Sequence, residues 1–267
     1  MAKRKKASST AIAKWDEQLA QYAEASAAME AKTGGGQFFS LRGGQLTWQD
    51  NPIQGNSMAV IILDTVMENI YYEGRFDPEV ISPPTCFAFG RSEDEMQPHE
   101  SVVELDQAVN EQCSGCPMNE WGSANIGKGK ACRNTRRLAL LSAGTLDGDD
   151  VELYEDEHFQ TSEVGYMKLP VTSVKGYGSF VKQVATTLRR PPFGIITRLS
   201  VVPDDKTQFR VVFEALDKVP DSLMNIVMDR HTAIENEIMF PYTLEQEEQE
   251  KPKSRKKAPT RKRAKKY

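Results

Sequence analysis

Residues 58–76, MAVIILDTVMENIYYEGRF, combine many valine and isoleucine residues with an alternating pattern of side chains. The side chains fall into two alternating sets: Val66, Ile70 and Tyr72 in one, and Thr65, Met67 and Tyr71 in the other. β-branched and aromatic residues favour extended backbone, and successive side chains of a strand point to opposite faces. The pattern therefore predicts one long β-strand rather than a helix.

A hairpin is predicted just before this strand, in QFFSLRGGQLTWQ, residues 37–49. The pair Gly43–Gly44 provides the turn, because glycine readily adopts the positive φ that tight hairpin turns require. A turn there directs four apolar side chains to a core face: Phe39, Leu41, Leu46 and Trp48. The opposite face, with Phe38 and Arg42 among small polar groups, suits a ligand surface.

Further patterns predict a β-rich α+β protein. A short strand is expected at PPTCFAFG (83–90) and a second hairpin at FGIITRLSVVPDDKTQFRVVFEAL (193–216). Helices are expected at 9–32, 135–144, 175–192 and 220–239. This order of strands, insertion, helix and strands predicts a small OB-like barrel of Greek-key type with flanking helices.

The chain divides into three predicted parts. Residues 1–35 form an N-terminal arm that is partly helical. Residues 36–244 form the OB-like core, with a zinc-binding subdomain inserted at about 86–135. Residues 245–267 form a disordered tail that is first acidic and then basic.

Charge is distributed unevenly along the 267 residues, whose formal net charge is −4. Residues 251–267 carry ten Lys or Arg and no acidic residue, and residues 1–6 carry four more. Without these 14 positive charges the chain has 20 basic and 38 acidic residues, a formal charge of −18. This excludes a protein that attracts nucleic acid over its whole surface, so such contacts would come from local patches or the tails.

The composition, 39% hydrophobic and 27% charged, is typical of a soluble folded protein. The densest apolar run, MAVIIL, is far shorter than the roughly 20 residues of a membrane-spanning helix. The basic start of the chain has no apolar segment behind it and so does not resemble a secretory signal. We therefore expect a cytoplasmic protein, in which cysteines stay reduced.

The four cysteines form the strongest motif of the chain. Cys86, Cys113, Cys116 and Cys132 have the pattern C-x26-C-x2-C-x15-C. The central CSGC knuckle can direct two thiolates to one ion, and the spacing to the last cysteine is usual for zinc ribbons. The sequence therefore predicts a structural Zn²⁺ site. His99 is an alternative to Cys86 as the fourth ligand, and an iron–sulfur cluster is an alternative to zinc.

Basic residues follow the knuckle closely: Lys128, Lys130, Arg133, Arg136 and Arg137. If this segment is helical, the three arginines share one face at spacings of three and four. A positive strip on an otherwise acidic chain would attract the backbone of a nucleic acid. Trp121, in the same loop, offers a surface on which a base can stack.

A β-barrel interrupted by a cysteine-rich zinc subdomain resembles the single-stranded DNA-binding proteins of tailed phages. The resemblance covers roughly residues 36–240 and depends on QFFSLRGGQLTW, PPTCFAFG, FGIITRLSVV and, most specifically, QCSGCPMNEWGSANIGKGKACR. It implies single-strand binding, zinc, and the host-cell cytoplasm. One zinc ligand of the better-known members is a histidine, which here would be His99. Those proteins usually end in an acidic tail that recruits replication partners, whereas this chain ends in a basic one.

The predicted function is non-enzymatic, sequence-tolerant binding of single-stranded DNA in replication or recombination, with partner proteins contacted through the tails. Bases would stack on Phe38, Trp48, Tyr72 and Trp121. Phosphates would be held by Arg42, Lys128, Lys130, Arg133 and Arg137. Two alternatives remain open: a zinc-stabilised protein-interaction adaptor, and a metal-dependent nuclease or recombination enzyme. The nuclease would use the acidic cluster Asp147, Asp149, Asp150 and Glu152.

Overall fold

Residues 57–71 form one strand of 15 residues, as the alternating pattern predicts. A second 15-residue strand, from Arg133 to Asp147, pairs with it and gives the sheet its centre. The computed structural model describes residues 37–74 and 83–242. The predicted N-terminal helix and both halves of the tail lie outside the described residues.

The described residues form a β-rich α+β fold with ten strands in one mixed sheet. The strands are β1 (Phe38–Ser40), β2 (Thr47–Trp48), β3 (Asn51–Pro52), β4 (Ser57–Tyr71), β5 (Cys86–Gly90), β6 (Arg133–Asp147), β7 (Asp150–Leu153), β8 (Gly165–Leu169), β9 (Ile195–Asp204) and β10 (Gln208–Lys218). The α-helices are α1 (Glu100–Glu104), α2 (Asp156–Thr161), α3 (Val171–Thr187) and α4 (Asp221–Glu237). Short 3-10 helices lie at Arg42–Gly44, Gln54–Asn56, Glu93–Glu95, Pro117–Asn119 and Pro192–Gly194.

The strand order is β10-β9-β4-β6-β8-β1-β2-β3, with β5 beside β4 and β7 beside β6. The strands β4, β6 and β8 are successive antiparallel neighbours, and β9 returns to lie beside β4. A fourth strand beside the first is the Greek-key arrangement. The pairing does not close into a barrel among the described residues, because β10 and β3 are the two ends of the path.

Side-chain hydrogen bonds nevertheless connect the β1–β2 turn to the other side of the sheet. Asn56 accepts from the Leu46 amide over 2.6 Å and donates to the Gly44 carbonyl over 2.7 Å. The same side-chain amide donates to the carbonyl of Val201, in β9, over 3.2 Å. One asparagine therefore joins the turn at residues 42–46 to β9, and the sheet curls between them.

The sheet is covered by apolar side chains on both faces. The face under α3 includes Leu46, Val60, Ile62, Leu138, Leu140, Met167, Leu169, Tyr177 and Phe180. The face under α4 includes Ala59, Ile61, Leu63, Val66, Ala139, Leu141, Tyr166, Leu223, Val227 and Ile234. We call these the α3 face and the α4 face. Burial on both sides explains why the central strands are almost continuously apolar.

The prediction of a helix at 135–144 is wrong, because these residues belong to β6. Leu138 and Leu140 point to the α3 face, and Ala139 and Leu141 point to the α4 face. A strand buried on both faces loses the alternation that identifies strands, and a short apolar run is then ambiguous with a helix. The leucine run of residues 138–141 is therefore equally consistent with a helix when only the sequence is considered.

The other main elements agree with the sequence. The turn at Gly43–Gly44 pairs Phe39 with Trp48, β9 and β10 form the second hairpin, and α3 and α4 are helical. Within residues 37–74 and 83–242, no helix is long and apolar enough to cross a membrane.

Candidate functional site

Four thiols surround one small cavity at the end of β4. Its lining includes Cys86, Cys113, Cys116 and Cys132, together with Asn69, Tyr71, Met118 and Asn119. The cavity volume is ≈ 20 Å³, which is enough for one water-sized occupant, since a water needs roughly 10–15 Å³. We call this the thiol cavity. All four cysteines of the chain meet there.

Strand register explains how Cys86 and Cys132 come together. Cys86 pairs with Tyr71 on one edge of β4, and Arg133 pairs with Ile70 on the other edge. Cys132, next to Arg133, is therefore level with Cys86, and β4 lies between them. Directly paired residues of antiparallel strands share a face, so Cys86 projects with Tyr71 toward the cavity.

The CSGC turn brings the other two thiols to the same place. Gly115 has a φ of 75°, which glycine adopts at little cost. The Cys116 amide donates to the Cys113 carbonyl over 3.4 Å, and the Cys113 amide donates to the Met96 carbonyl over 3.0 Å. The Asn119 side chain also donates to the Cys113 carbonyl, over 3.0 Å. These bonds hold the turn against other parts of the insertion, at Met96 and Asn119.

Burial favours the protonated form of the Cys86, Cys113 and Cys132 thiols. It raises the pKa of Cys86 and Cys113, and it raises the pKa of Cys132 to about 12. The other cysteines raise the pKa of Cys132 further, because neighbouring thiolates repel one another. A bound dication has the opposite effect, since a coordinating thiol is deprotonated.

The donor set is the one that structural zinc uses, namely four cysteines at sulfur distances of about 2.3 Å. Within residues 37–74 and 83–242, however, no group of three or more His, Cys, Asp or Glu side chains is arranged so that it could hold a metal ion. Both zinc and an iron–sulfur cluster therefore stay predictions.

His99, the alternative to Cys86, lies on the other face of β5. Its ring stacks on Phe87 with 5.2 Å between centroids, and Phe87 projects opposite to Cys86 because successive strand residues alternate. Its Nδ1 accepts from the Ser101 amide over 3.2 Å and lies 2.9 Å from the Ser101 hydroxyl. His99 thus caps α1, and of the two residues it is Cys86 that lines the cavity.

Residues 120–130, which we call the Trp121 loop, follow the CSGC turn. The loop is closed by a hydrogen bond of 2.9 Å from the Gly122 amide to the Gly129 carbonyl. Its base is joined to the thiol cavity, because the Cys132 amide donates to the Met118 carbonyl over 2.7 Å. The Ser123 hydroxyl also donates to the Met118 carbonyl, over 2.9 Å. The loop therefore has a fixed attachment beside the cysteines.

The Trp121 loop presents apolar and positive side chains to solvent. Trp121 is 81% exposed and Ile126 is 83% exposed, the two most exposed large hydrophobic residues described. Lys128 is exposed, and the Lys130 ammonium lies 6.0 Å from the Trp121 ring centroid. An exposed indole beside two lysines can contact a stacked base and nearby phosphates.

A second exposed aromatic–cation pair lies where β4 ends and β6 begins. Tyr72 is 37% exposed, and the Arg133 guanidinium lies 5.9 Å from its ring centroid. Arg42, also exposed, and Trp48 belong to the β1–β2 hairpin, which β6 and β8 separate from β4. Trp48 is half-buried. The predicted base- and phosphate-binding residues are therefore spread over the sheet, and only part of them lie near the cysteines.

Arg137 does not bind phosphate in this structure, which corrects the prediction. It is 0% exposed, and its Nη2 lies 2.7 Å from Oε1 of Glu68, which is also 0% exposed. Its Nη1 donates to the carbonyls of Ile238 over 3.1 Å and Phe240 over 2.7 Å. The rings of Phe89 and Phe240 lie 4.2 and 4.3 Å from the guanidinium carbon. The residue is part of the core.

Two other parts of the predicted surface also change. Because β6 is a strand, Arg136 projects opposite to Arg133, so no strip of three arginines forms. Phe38 is partly buried against Tyr166 and Phe240, with ring centroids 5.9 and 5.7 Å apart. It is packed in the core rather than presented for stacking, which corrects the expectation for this residue.

Lys168 and Tyr242, on the same face of the sheet as Tyr72 and Arg133, were missed by sequence reasoning. Lys168 pairs with Arg137 across β8 and β6, and its ammonium lies 4.5 Å from the Tyr242 ring centroid. The sequence does contain a signal for Lys168, because a lysine within the otherwise apolar strand GYMKL is unusual and indicates a special environment. Tyr242 carried no signal of its own.

The acidic cluster is at the β6–β7 turn. Asp147, Asp149, Asp150 and Glu152 are exposed there, and Asp149 forms an ion pair of 3.2 Å with Arg198.

Neither a protein-family model, nor a curated protein, nor a solved structure matches this chain. Function is therefore inferred from its own residues.

Proposed function

We propose that this chain binds single-stranded DNA without strong base preference, in replication or recombination. The Trp121 loop stacks on unpaired bases, and Lys128, Lys130 and Arg133 contact the phosphates. The observation that carries this is the 81% exposure of Trp121 on a loop with two lysines. Exposed apolar side chains that are grouped mark interaction sites more often than single ones do, and Trp121 shares its short loop with the equally exposed Ile126.

Charge supports a local interface of this kind. Without its terminal positive charges the chain has a formal charge of −18, which disfavours general attraction to duplex phosphate. Unpaired bases expose their π-faces, whereas those of a duplex are covered by neighbouring pairs. Stacking on an aromatic side chain is worth roughly 1–3 kcal/mol per base. Trp121 therefore favours single strands in particular.

Topology supports the further proposal that the sheet is a variant of the OB fold. Five long or central strands, β4, β6, β8, β9 and β10, follow a Greek-key order, and α3 lies between the third and fourth. The OB fold is a partly open, five-stranded Greek-key barrel that binds oligonucleotides. Here β1, β2 and β3 extend the sheet beyond β8. The Asn56 side chain then connects the turn between β1 and β2 to β9 by hydrogen bonds.

Zinc fits the proposal as a structural ion. Cys86, Cys113, Cys116 and Cys132 would hold it, and it would cross-link the end of the sheet to the base of the Trp121 loop. The chain's own contribution is to keep the loop attached through the bond from the Cys132 amide to Met118.

The test is equilibrium binding of single- and double-stranded oligonucleotides to Trp121→Ala. We expect the Kd for single strands to rise by roughly 5- to 150-fold, the equivalent of about 1–3 kcal/mol. The slope of log K against log salt should hardly change, because no phosphate contact is lost.

Ile126→Ala is the matched control, since Ile126 is equally exposed on the same loop but has no π-face. Its Kd should stay within about twofold of the unmodified chain. Equal losses for both variants, or none for Trp121→Ala, would contradict stacking. Incubation with Mg²⁺ tests the nuclease alternative, which would be favoured by cleavage of the oligonucleotide.

A further inference from the structure

We propose that Tyr72, Arg133, Lys168 and Tyr242 form a second DNA-contact site on the α4 face, where the two cations bind phosphates of the strand and Tyr72 stacks on a base. We call it the Lys168 patch. It rests on the proposed function and extends the path of the strand beyond the Trp121 loop to the other side of β4.

Register places the patch back to back with the thiol cavity. Ile70 pairs with Arg133 and therefore shares its face, whereas Tyr71 pairs with Cys86 on the opposite face. Arg137 is four residues after Arg133 in β6, and side chains an even number of residues apart in a strand point to the same face. Lys168 pairs with Arg137 and so also points to the α4 face. The β4 strand thus separates the two sites.

Lys168 is a half-buried ammonium that lacks an anionic partner. Among the described residues it forms no ion pair. Burial lowers its pKa, and repulsion from Arg137 and Arg133 adds to this, while only Glu68 opposes the shift. Burying a charge without a partner costs free energy, which a bound anion would recover.

Glu68 does not provide that partner, because its oxygens are already engaged. Its Oε1 accepts from Arg137 Nη2 over 2.7 Å and from the Tyr242 hydroxyl over 2.6 Å. Its Oε2 lies 3.3 Å from the Thr135 hydroxyl, whose one hydrogen is shared with the Glu68 carbonyl 3.1 Å away. The positive charge of Arg137 balances the negative charge of Glu68 within the core. The positive charges of Lys168 and Arg133 therefore remain uncompensated among the residues described.

The spacing suits two phosphates rather than one. Arg133 is four residues along β6 from the partner of Lys168, so their Cα atoms are roughly 14 Å apart at strand spacings of about 3.3 and 4.8 Å. Long side chains at that separation can reach separate phosphates of one strand. The ring of Tyr72 lies beside Arg133, on the side away from Lys168, where it can stack on the base next to the phosphate that Arg133 binds.

The test is the salt dependence of single-strand binding by Lys168→Met, which keeps the apolar stem but removes the charge. Losing one phosphate contact should reduce the slope of log K against log salt by about 0.7, equivalent to roughly fivefold weaker binding at 0.1 M salt. Lys175→Met, an exposed lysine of α3, is the matched control and should leave the slope unchanged. An unchanged slope for Lys168→Met overturns the inference.

Comparison with Trp121→Ala separates this inference from the proposed function. If Trp121→Ala weakens binding and Lys168→Met does not, the function stands and the patch is not used. If neither weakens binding, both fail.

Lysine acylation of the unmodified full chain gives a second measurement that needs no variant. Mass spectrometry should find Lys168 reactive in the free protein and protected by a single-stranded oligonucleotide, with Lys175 reactive in both states. A Lys168 that reacts equally with DNA present, or that is unreactive without it, overturns the inference.

Discussion

The sheet and the cysteine insertion, residues 91–132 between β5 and β6, are held together in different ways. The sheet has two apolar cores, one on each face. Among the insertion's residues only Met96, Val102 and Cys132 are buried hydrophobics. Four of its apolar side chains are instead well exposed: Val103, Leu105, Trp121 and Ile126.

This difference indicates which of the two regions is stabilised by a hydrophobic core. A segment with so little buried apolar area gains little from hydrophobic burial and needs cross-links to stay folded. Because the insertion has so small a hydrophobic core, large side chains such as Trp121 and Ile126 stay exposed and accessible to a ligand. Under the proposed function, the sheet is the better-packed support and the Trp121 loop of the insertion provides the first contact with the DNA strand.

The largest expected effect is the loss of the insertion's fold when its thiols are disrupted. Structural zinc contributes on the order of 10 kcal/mol to folding in small zinc peptides. Chelation, or the change Cys116→Ser, should therefore abolish hydrogen-exchange protection in residues 91–132 while β9 and β10 keep theirs. Metal analysis should find about one zinc per chain in the unmodified protein.

Ser114→Ala, in the same turn but with no thiol, is the control for the cysteine change. It should retain both the metal and the protection. If the insertion keeps its amide protection after complete chelation, hydrogen bonds and packing alone suffice for its fold, and the comparison between the two regions fails.

The next effect concerns the buried ion pair of the sheet. Arg137→Ala leaves the Glu68 carboxylate buried without its main partner, which should lower the free energy of unfolding by about 3–5 kcal/mol. Urea denaturation measures this loss. Arg133→Ala, four residues earlier on the same strand face and exposed, should change it by less than about 0.5 kcal/mol.

A double variant sharpens this result. Arg137→Met with Glu68→Leu removes both charges and should recover much of the loss, because replacing a buried pair by apolar residues is often neutral. If Arg137→Ala alone is no more destabilising than Arg133→Ala, the pair does not contribute to the core as its burial indicates.

The smallest of the three effects concerns Asn56. Asn56→Gly removes the side-chain bonds to Leu46, Gly44 and Val201 while tolerating the φ of 56° at this position. We expect a loss of about 1–3 kcal/mol in the free energy of unfolding. Asn56→Asp keeps the acceptor for the Leu46 amide but places a carboxylate oxygen against the carbonyls of Gly44 and Val201, so its loss should be at least as large. A neutral Asn56→Gly would show that the curl of the sheet does not depend on this residue.

Elements with a clear local pattern could be predicted from the sequence. The alternation of residues 58–71 predicts β4, and the Gly43–Gly44 pair predicts the register of Phe39 and Trp48, because both depend on neighbouring residues only. The β6 strand could not be identified in this way. Its apolar run is buried on both faces and carries no period of two.

The candidate site shows the same limit. Cysteine spacing indicated a cluster, and the four thiols do line one cavity. Arg137 was misassigned because its partner Glu68 is 69 residues away and no local pattern reveals that a basic residue faces a buried carboxylate. Lys168 and Tyr242 are brought together only by tertiary structure.

The long-range pairing of β4 also has a consequence for synthesis of the chain. Ser57 lies beside Ser200, 143 residues later, so one edge of β4 lacks β9 for roughly 7–30 s at about 5–20 residues per second. An unpaired apolar edge can join another chain, and inward-pointing charges oppose this. Asp64 and Glu68 are two such carboxylates within β4. Their partners are synthesised later, Arg91 27 residues after Asp64 and Arg137 69 residues after Glu68. Until those arginines have been synthesised, the two carboxylates are unpaired charges that oppose pairing of β4 with another chain.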